Sequence, residues 1–436
     1  MSIQQVPVEI LEIIFASLDG TSFCRAKQVC KLWCAVVHKL QSSKKIWRKF
    51  CIQDISDGVI EELVSYKTIP YKNLNVDWLD IYKQWHFGKV IKPRHLSKVF
   101  EVQAFCSNPI TCIATSGSWV VTGHNNGVAY VWSISDDDDI EQKSDLHLKA
   151  ITDIALVDLL NLGTYYGLRT LPWSHHHMIT VSKDGCIRIS FLLDSIGHSE
   201  YDLTLHKHGD VINSVRIFGK QFAACSRDNT VTLWDLDVLR SPYLHLKATL
   251  LRTIIGPAEY IADIGFWNNK LYCITLSGKI SICDLRRDDW IEKSNVKSIC
   301  FKDIEKRPCI TKYQTFRDEV VIMFTASAKM VVYLDENRYK IYHLMPTLQT
   351  LIVSIKLKGT ILALGGENGK LYLFYVPVTE SLLELDLTRP AFHCMLSEAS
   401  LVFVDVIYSC TYPMVVAATT EKLYFISWHH NMNLCL

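Results

Sequence analysis

Neither sign of charge dominates this chain of 436 residues: 46 lysines and arginines stand against 45 aspartates and glutamates. That balance lacks the cationic excess on which general nucleic-acid binding depends. Long hydrophobic runs are also missing. The longest, 320–334, is interrupted by Lys329 and falls short of the ~20 apolar residues that a membrane-crossing helix needs. No basic start leads into an apolar run with a small-residue cleavage site, so the expectation is a soluble protein of the cytosol or nucleus, without a membrane partner. Cysteine is present but its close pairing is not. The fifteen cysteines are an odd number, and Cys225, Cys273 and Cys410 sit among apolar neighbours. They read as small buried hydrophobes in a reducing compartment and not as a disulfide framework.

Chemistry-bearing motifs are scarce as well. No CxxC or HxxxH spacing occurs, and neither a nucleophile elbow nor a phosphate loop is found. His175, His176 and His177 are consecutive and cannot all face one ion, so they read as a solvated loop. Cys30 and Cys34 lack a second ligand pair and read as core packing. The run Asp136 to Asp139 lacks a preorganised cage and reads as a charged turn. The expectation is a chain with no catalytic residues, no metal and no cofactor. Its length predicts a small module plus one large domain or several medium ones.

What is present begins at the amino terminus. Pro7 suits a first helical turn, and Glu9 and Glu12 favour its electropositive end. Apolar residues at 10, 11, 14, 15 and 18 follow helical spacing, and the cluster Asp19-Gly20-Thr21-Ser22 predicts a turn. A second helical pattern carries Phe23, Ala26, Val29, Cys30, Trp33, Val36 and Val37; Gln41-Ser42-Ser43 predicts a break, and Ile46, Trp47 and Phe50 close a third. Such a unit is too small to bury a self-sufficient core, so a partner surface is the expected remedy. Residues 1–95 hold 14 basic against 9 acidic side chains, a net of +5, which suits an acidic partner.

The order Pro7, Glu9-Ile10-Leu11, Ile14-Phe15, Leu18-Asp19, Val29-Cys30-Lys31-x-Trp33, Trp47-Arg48-Lys49-x-Cys51 resembles the F-box. Val6 and Phe23 stand where that family usually has leucine. The resemblance implies docking on the Skp adaptor of a cullin-based ubiquitin ligase, through Pro7, Ile10, Leu11, Ile14, Phe15, Leu18, Val29, Cys30, Trp33 and Trp47. It also implies that thioester chemistry belongs to other subunits and not to Cys51. Residues 54–96 keep apolar positions, and Trp78, Ile81, Tyr82 and Trp85 share one helical face. That segment reads as a packed helical linker, too poor in Gly, Ser and Pro for a loose tether.

From residue 97 the periodicity changes to short strands between turns. The unit 208–235, with His208-Gly209, Ser226-Arg227-Asp228-Asn229 and Leu233-Trp234-Asp235, is similar to a WD repeat, one blade of a β-propeller. Copies follow over 110–134, 151–193, 261–285, 310–335, 352–376 and 402–428. Positions equivalent to Trp234 fall at Trp132, Ser190, Cys283, Leu334, Phe374 and Ile426, a mean interval of 49 residues. The expected fold class is α+β multidomain. An N-terminal helical F-box spans 1–53, a helical linker 54–96, and an all-β WD-repeat propeller of seven blades 97–436, with six or eight blades compatible. Strand 99–105 is expected outermost in the last blade beside 423–428, and 159–177 as a loop within the second blade. His208, Asp228 and Trp234 in blade 3, and His147, Thr180 and Asp184 in blade 2, read as blade-locking networks, left incomplete by Ala224 and Ser190.

The resemblance places ligands over the top of the disc. One ring there would comprise Thr111, Thr152, Asn213, Ala262, Thr311, Val353 and Val402. A second would comprise Asn125, Lys183, Arg227, Leu276, Ser327, Glu367 and Thr419. Lys183, Arg227, Asn125, Asn213 and Thr152 are the expected cargo contacts, for a protein substrate that could be phosphorylated. The implied function is substrate recognition in a Skp–cullin–F-box ligase; a non-degradative WD-repeat scaffold is the competing reading, and a propeller enzyme the third.

Overall fold

Pro7, with an extended ψ of 144°, leads directly into α1, Val8–Ser17. The computed structural model describes residues 6–64, 77–91, 96–103, 108–116, 119–133, 140–158, 176–192, 203–240, 244–256, 260–267, 270–275, 280–285, 297–299, 310–315, 320–335, 337–408 and 413–428. The expected turn at 19–22 is instead a helix start. Asp19 caps α2, Gly20–Ala26, its side chain accepting from the Ser22 N–H at 2.9 Å. The single pattern expected over 23–37 is likewise two helices, because extended Cys30 (φ −161°) separates α2 from α3, Lys31–Gln41. The apolar periodicity runs through the break because both helices address one core. After the anticipated break come α4, Lys44–Asp54, α5, Asp57–Val64, and α6, Trp78–Phe87.

Trp47 centres this helical core, with ring centroids 6.0 Å from Phe23 and 5.5 Å from Tyr82. Trp78, Ile81, Tyr82 and Trp85 all turn inward, so α6 packs into the core built by α1 to α4. Asp54 fastens the joint: its Oδ2 accepts from Tyr82 Oη at 2.7 Å and from the Gly20 N–H at 3.1 Å.

Seven four-stranded antiparallel sheets follow. They are blades 1 to 7 over 110–145, 151–206, 212–255, 261–299, 310–343, 352–395 and 403–428. Strand Leu96–Gln103 lies outermost in blade 7, pairing Phe100 with Phe425 and Val102 with Leu423, so the last blade is completed from the domain's first strand. Closure of this kind protects sheet edges. Apolar cores lie between blades: Phe222 and Trp234 of blade 3 share one with Ile179 and Ile187 of blade 2.

The turn between second and third strands keeps one geometry. Its fourth residue has positive φ in five blades: Gly127 at 85°, Gly185 at 82°, Asn229 at 65°, Ala328 at 58° and Gly369 at 73°. At Gly127 only glycine also leaves room, since a Cβ would collide with the His147 carbonyl. This marker corrects blade 5 by one residue. Tyr333, paired with Val321 as Trp234 is with Phe222, takes the place assigned to Leu334, and Ala326 that assigned to Ser327. Most of the loop expected at 159–177 lies outside the described residues, as do His175, Leu276, Cys410 and Asp136 to Asp139. His176 and His177 are not loop residues: they begin strand His176–Ser182, and His177 is buried.

The helices mount on the turn joining the first two strands of blade 6. Glu62 Oε2 accepts from the Gly359 N–H at 3.1 Å, Ile91 and Leu63 pack into the core between blades 6 and 7, and Gly88 lies so close to Thr360 that a Cβ would strike its hydroxyl. That turn is at the opposite end of the strands from Glu367. The helices therefore sit on one face of the disc and leave the other open.

Candidate functional site

On the open face, four second-to-third-strand turns are pinned in one way. The N–H groups of Asn125, Lys183, Arg227 and Glu367 donate to the carbonyls of Pro109, Ala150, Val211 and Leu351 at 2.9–3.1 Å. Their side chains are thereby held outward, and all four are exposed. Of the expected cargo contacts, Lys183, Arg227 and Asn125 thus stand in solvent.

Thr152 and Asn213 are spent differently. The first strand of six blades has a register shift at its start, between Ile110/Cys112, Ile151/Asp153, Ile212/Ser214, Ile261/Asp263, Ile310/Lys312 and Ile352/Ser354. The bulged residues are the ring Thr111, Thr152, Asn213, Ala262, Thr311 and Val353. A bulge re-aims its side chain, and here three reach the next blade. Thr111 Oγ1 donates to Ile151 O at 2.6 Å, Thr152 Oγ1 to Ile212 O at 2.6 Å, and Asn213 Nδ2 to Ile261 O at 2.8 Å. Thr152 and Asn213 therefore stitch blade to blade with the donors expected to meet cargo.

Beneath the ring, the first strands enclose a cavity of about 640 Å3. Its wall is charged, which the uncharged ring above does not foretell. Arg216 of blade 3 ion-pairs with Asp153 of blade 2 and, through Nη2, with both oxygens of Asp263 in blade 4 at 2.9 Å. Lys356 meets Asp405 at 3.2 Å, and the Thr115 hydroxyl donates to Asp405 at 2.8 Å. The available signal was an ionised residue two or four positions into the first strand, at Asp153, Arg216, Asp263, Lys356 and Asp405.

Histidine networks hold the turns. A carboxylate only accepts, so His147 Nδ1 donates to Asp184 Oδ2 at 3.0 Å while Nε2 accepts from Thr180 Oγ1 at 2.9 Å. In blade 3, His208 Nδ1 donates to Asp228 Oδ2 at 3.0 Å and Nε2 accepts from Thr232 Oγ1 at 2.9 Å. Thr232 pairs across strands with Ala224, so the hydroxyl missing there is supplied from the facing strand. Trp234 stands outside this network, stacked on Phe222 at 6.1 Å. Blade 1 makes a shorter chain, from Trp132 Nε1 to Thr122 Oγ1 at 3.1 Å, then to His124 Nε2 at 3.1 Å.

Burial holds the pKa of His124, His147 and His208 below the usual imidazole value of 6.5. Asp184 and Asp228 lie below the usual carboxylate value; burial opposes this, but backbone N–H and hydroxyl donors and the histidines outweigh it. The unfolded chain regains imidazole protons first, so unfolding takes up protons below about pH 6.5 and stability is lost as pH falls. Melting temperature is expected to be level from pH 8 to 7 and to fall toward pH 5.5. In H147Q/H208Q it should be lower at pH 7.5 and flatter with pH; a slope equal to the wild type's would refute the assignment.

On the helical module, the expected docking residues divide. Ile10, Ile14 and Val29 are 47%, 44% and 59% exposed, Pro7 is exposed, and Leu18 and Cys30 are half-buried. Leu11, Phe15 and Trp47, expected among the docking contacts, are instead buried in the module's own core. Trp33 is half-buried and edge-on to Phe15 at 4.9 Å, with an Nε1–H that finds no acceptor among the described residues. Val8, Ile13, Leu32 and Ile52, which the expected set does not contain, are exposed as well, at 38%, 67%, 38% and 49%. Reading i, i+3 and i+4 from Ile10 would have found Ile13 beside Ile14.

Reactive chemistry is muted. Cys51 donates to Trp78 O at 3.2 Å, and burial pushes its thiol up to about 12. Cys186 meets His206 Nδ1 at 3.2 Å, yet burial and Asp184 raise its pKa, which disfavours a thiolate. Cys30 and Cys34 are half-buried thiols on α3 and its cap, and no group of three metal-ligating side chains occurs among the described residues.

The F-box-like family model matches residues 3–53. The WD domain, G-beta repeat, matches residues 199–235. No curated protein matches the chain.

Proposed function

Because this chain is an F-box/WD-repeat protein, with an F-box-like helical module mounted on a seven-bladed propeller, we propose that it is a substrate receptor of a Skp–cullin–F-box ubiquitin ligase. The helices dock on a Skp-type adaptor, and through it on cullin. The propeller grips the protein to be ubiquitinated. The observation that carries this reading is the apolar surface of Ile10, Ile13, Ile14, Val29 and Leu32, left uncovered while the same module anchors to blade 6 through Glu62 and Ile91. Isolated exposed apolar residues are ordinary, but these five together with Val8 and Ile52, all on one small helical module, mark a docking surface. The packed joint between module and disc supports a receptor's geometry, because a fixed offset between cargo and thioester keeps effective concentration high.

Purification of the full chain from cells under proteasome inhibition tests the reading. Adaptor and cullin are expected in stoichiometric amounts, together with cargo. Recovery of cargo without either would favour the scaffold reading and overturn the ligase one. K183E/R227E is expected to lower cargo recovery about tenfold or more, the cost of losing charged contacts at an interface, with adaptor recovery unchanged; undiminished cargo would remove the open face from the proposal.

A further inference from the structure

The open face is not uniform around its circumference. Lys149, Lys183, Lys207 and Arg227 are all exposed and belong to neighbouring loops and turns of blades 2 and 3. Hydrogen bonds tie each turn to the loop beside it, and Gly185 of the blade 2 turn lies against the backbone of His208 and Asp210 in the next loop, which joins the two halves of the sector. The Leu148 N–H donates to Asp184 Oδ2 at 3.3 Å, the Gly209 N–H to Asp228 Oδ2 at 2.9 Å, and the Gly256 N–H to Asn229 O at 2.8 Å. Two of the sector's carboxylates, Asp184 and Asp228, are turned toward His147 and His208, while the third, Asp210, is exposed and caps the Val211 N–H. The cations therefore dominate what meets solvent.

Two apolar side chains flank them. Leu148 is 92% exposed and Ile255 is 80% exposed, among the highest exposures of large hydrophobics in the described chain. Across the disc the sign reverses. The corresponding turns and loops of blades 6 and 7 expose Glu367, Glu398 and Glu421. A ligand with negative charge is thus drawn to one side of the face and repelled from the other.

We propose that the sector over blades 2 and 3 docks an unmodified acidic segment of the partner protein: aspartates and glutamates around apolar anchors that cover Leu148 and Ile255. This rests on the open face being the cargo face and adds the chemical class of cargo and its off-centre position. Carboxylates fit better than a phosphate because the four cations are spread over four separate loops. A phosphate is best held by convergent, bidentate arginines, and here three of the four are lysines, each a single point charge. Spread single charges match a spread of single carboxylates.

The probe is a random dodecapeptide phage library, panned on the immobilised full chain, with enriched peptides synthesised for anisotropy titration. Enriched sequences are expected to carry net negative charge and at least one large apolar residue. Kd should rise tenfold or more in K149E/K183E/K207E/R227E, severalfold in L148D/I255D, and with salt raised from 50 to 500 mM. Neutral or basic enriched sequences, no enrichment, or titrations indifferent to these variants would overturn the proposal. So would peptides that bind only once a serine is phosphorylated. Adaptor binding, measured on the same samples, keeps the two claims apart: acidic peptides bound by a chain that fails to bind adaptor would uphold the docking sector and sink the ligase reading.

Discussion

I13D/I14D is expected to weaken adaptor binding about a hundredfold and to leave the fold intact. Ile13 and Ile14 are 67% and 44% exposed on α1, so aspartates there remain solvated and the Leu11–Phe15 side of the helix keeps its packing. At a docked interface the same aspartates would be buried without partners. Truncation of a central contact costs about 2 kcal/mol or more, and a buried unpaired charge adds to it, so the affinity loss is on the order of a hundredfold. Titration against purified Skp-type adaptor, with circular dichroism alongside, reads both halves. L11D is the contrasting variant: Leu11 is 1% exposed, and its replacement should unfold the module. Full-strength adaptor binding by I13D/I14D would remove this face as the docking surface.

R216M is the second large effect, and it falls on stability. Arg216 neutralises Asp153 and Asp263 from neighbouring blades, with side chains 28%, 19% and 18% exposed. Methionine there would leave two carboxylates facing each other across the cavity wall, a loss of about 3 kcal/mol by comparison with other broken, poorly solvated ion pairs. Burial, opposed by Arg216, already lifts Asp263 above its ordinary pKa, and Asp153 lifts it further. Without the guanidinium that rise grows, so the folded variant holds protons that the unfolded chain releases. Its deficit is therefore largest at pH 7.5 and shrinks toward pH 5. Thermal melting at the two pH values measures this, and R216K should recover only part, because an ammonium cannot span both carboxylates with a planar fork. Equal deficits at both pH values would mean that lost packing, not exposed charge, is responsible.

Helical periodicity and strand spacing were legible because each depends on a pattern local in the chain, and the closing strand because a ring of blades demands one from the domain's other end. Residues 78, 81, 82 and 85 lie on one buried face as their spacing requires, and Val99 to Gln103 joins the last blade. What stayed hidden depends on what lies across a strand or a seam. Asp19 had the composition of a turn and the role of a cap. Ala224 suggested a gap that Thr232, its cross-strand partner, fills. Thr152 and Asn213 lay at ring positions, but only the bulge discloses that they reach Ile212 and Ile261. The blade 5 slip arose because Ala328, not glycine or asparagine, holds the left-handed position there. On α1, side chains three and four apart share a face, but which face meets solvent depends on α2 and α3.

The pairing of Leu96–Gln103 with Lys422–Trp428 sets a timetable for biosynthesis. On the ribosome, the helical module can settle long before Leu423 is translated, whereas the strand just behind it must wait, its hydrogen-bonding edge idle, until Lys422–Trp428 has emerged. Contacts so remote in sequence close slowly, and an idle edge invites mispairing in the interval. Half-made copies of this protein therefore already carry the helices with which it would enter a ligase, before there is a finished ring to hold anything.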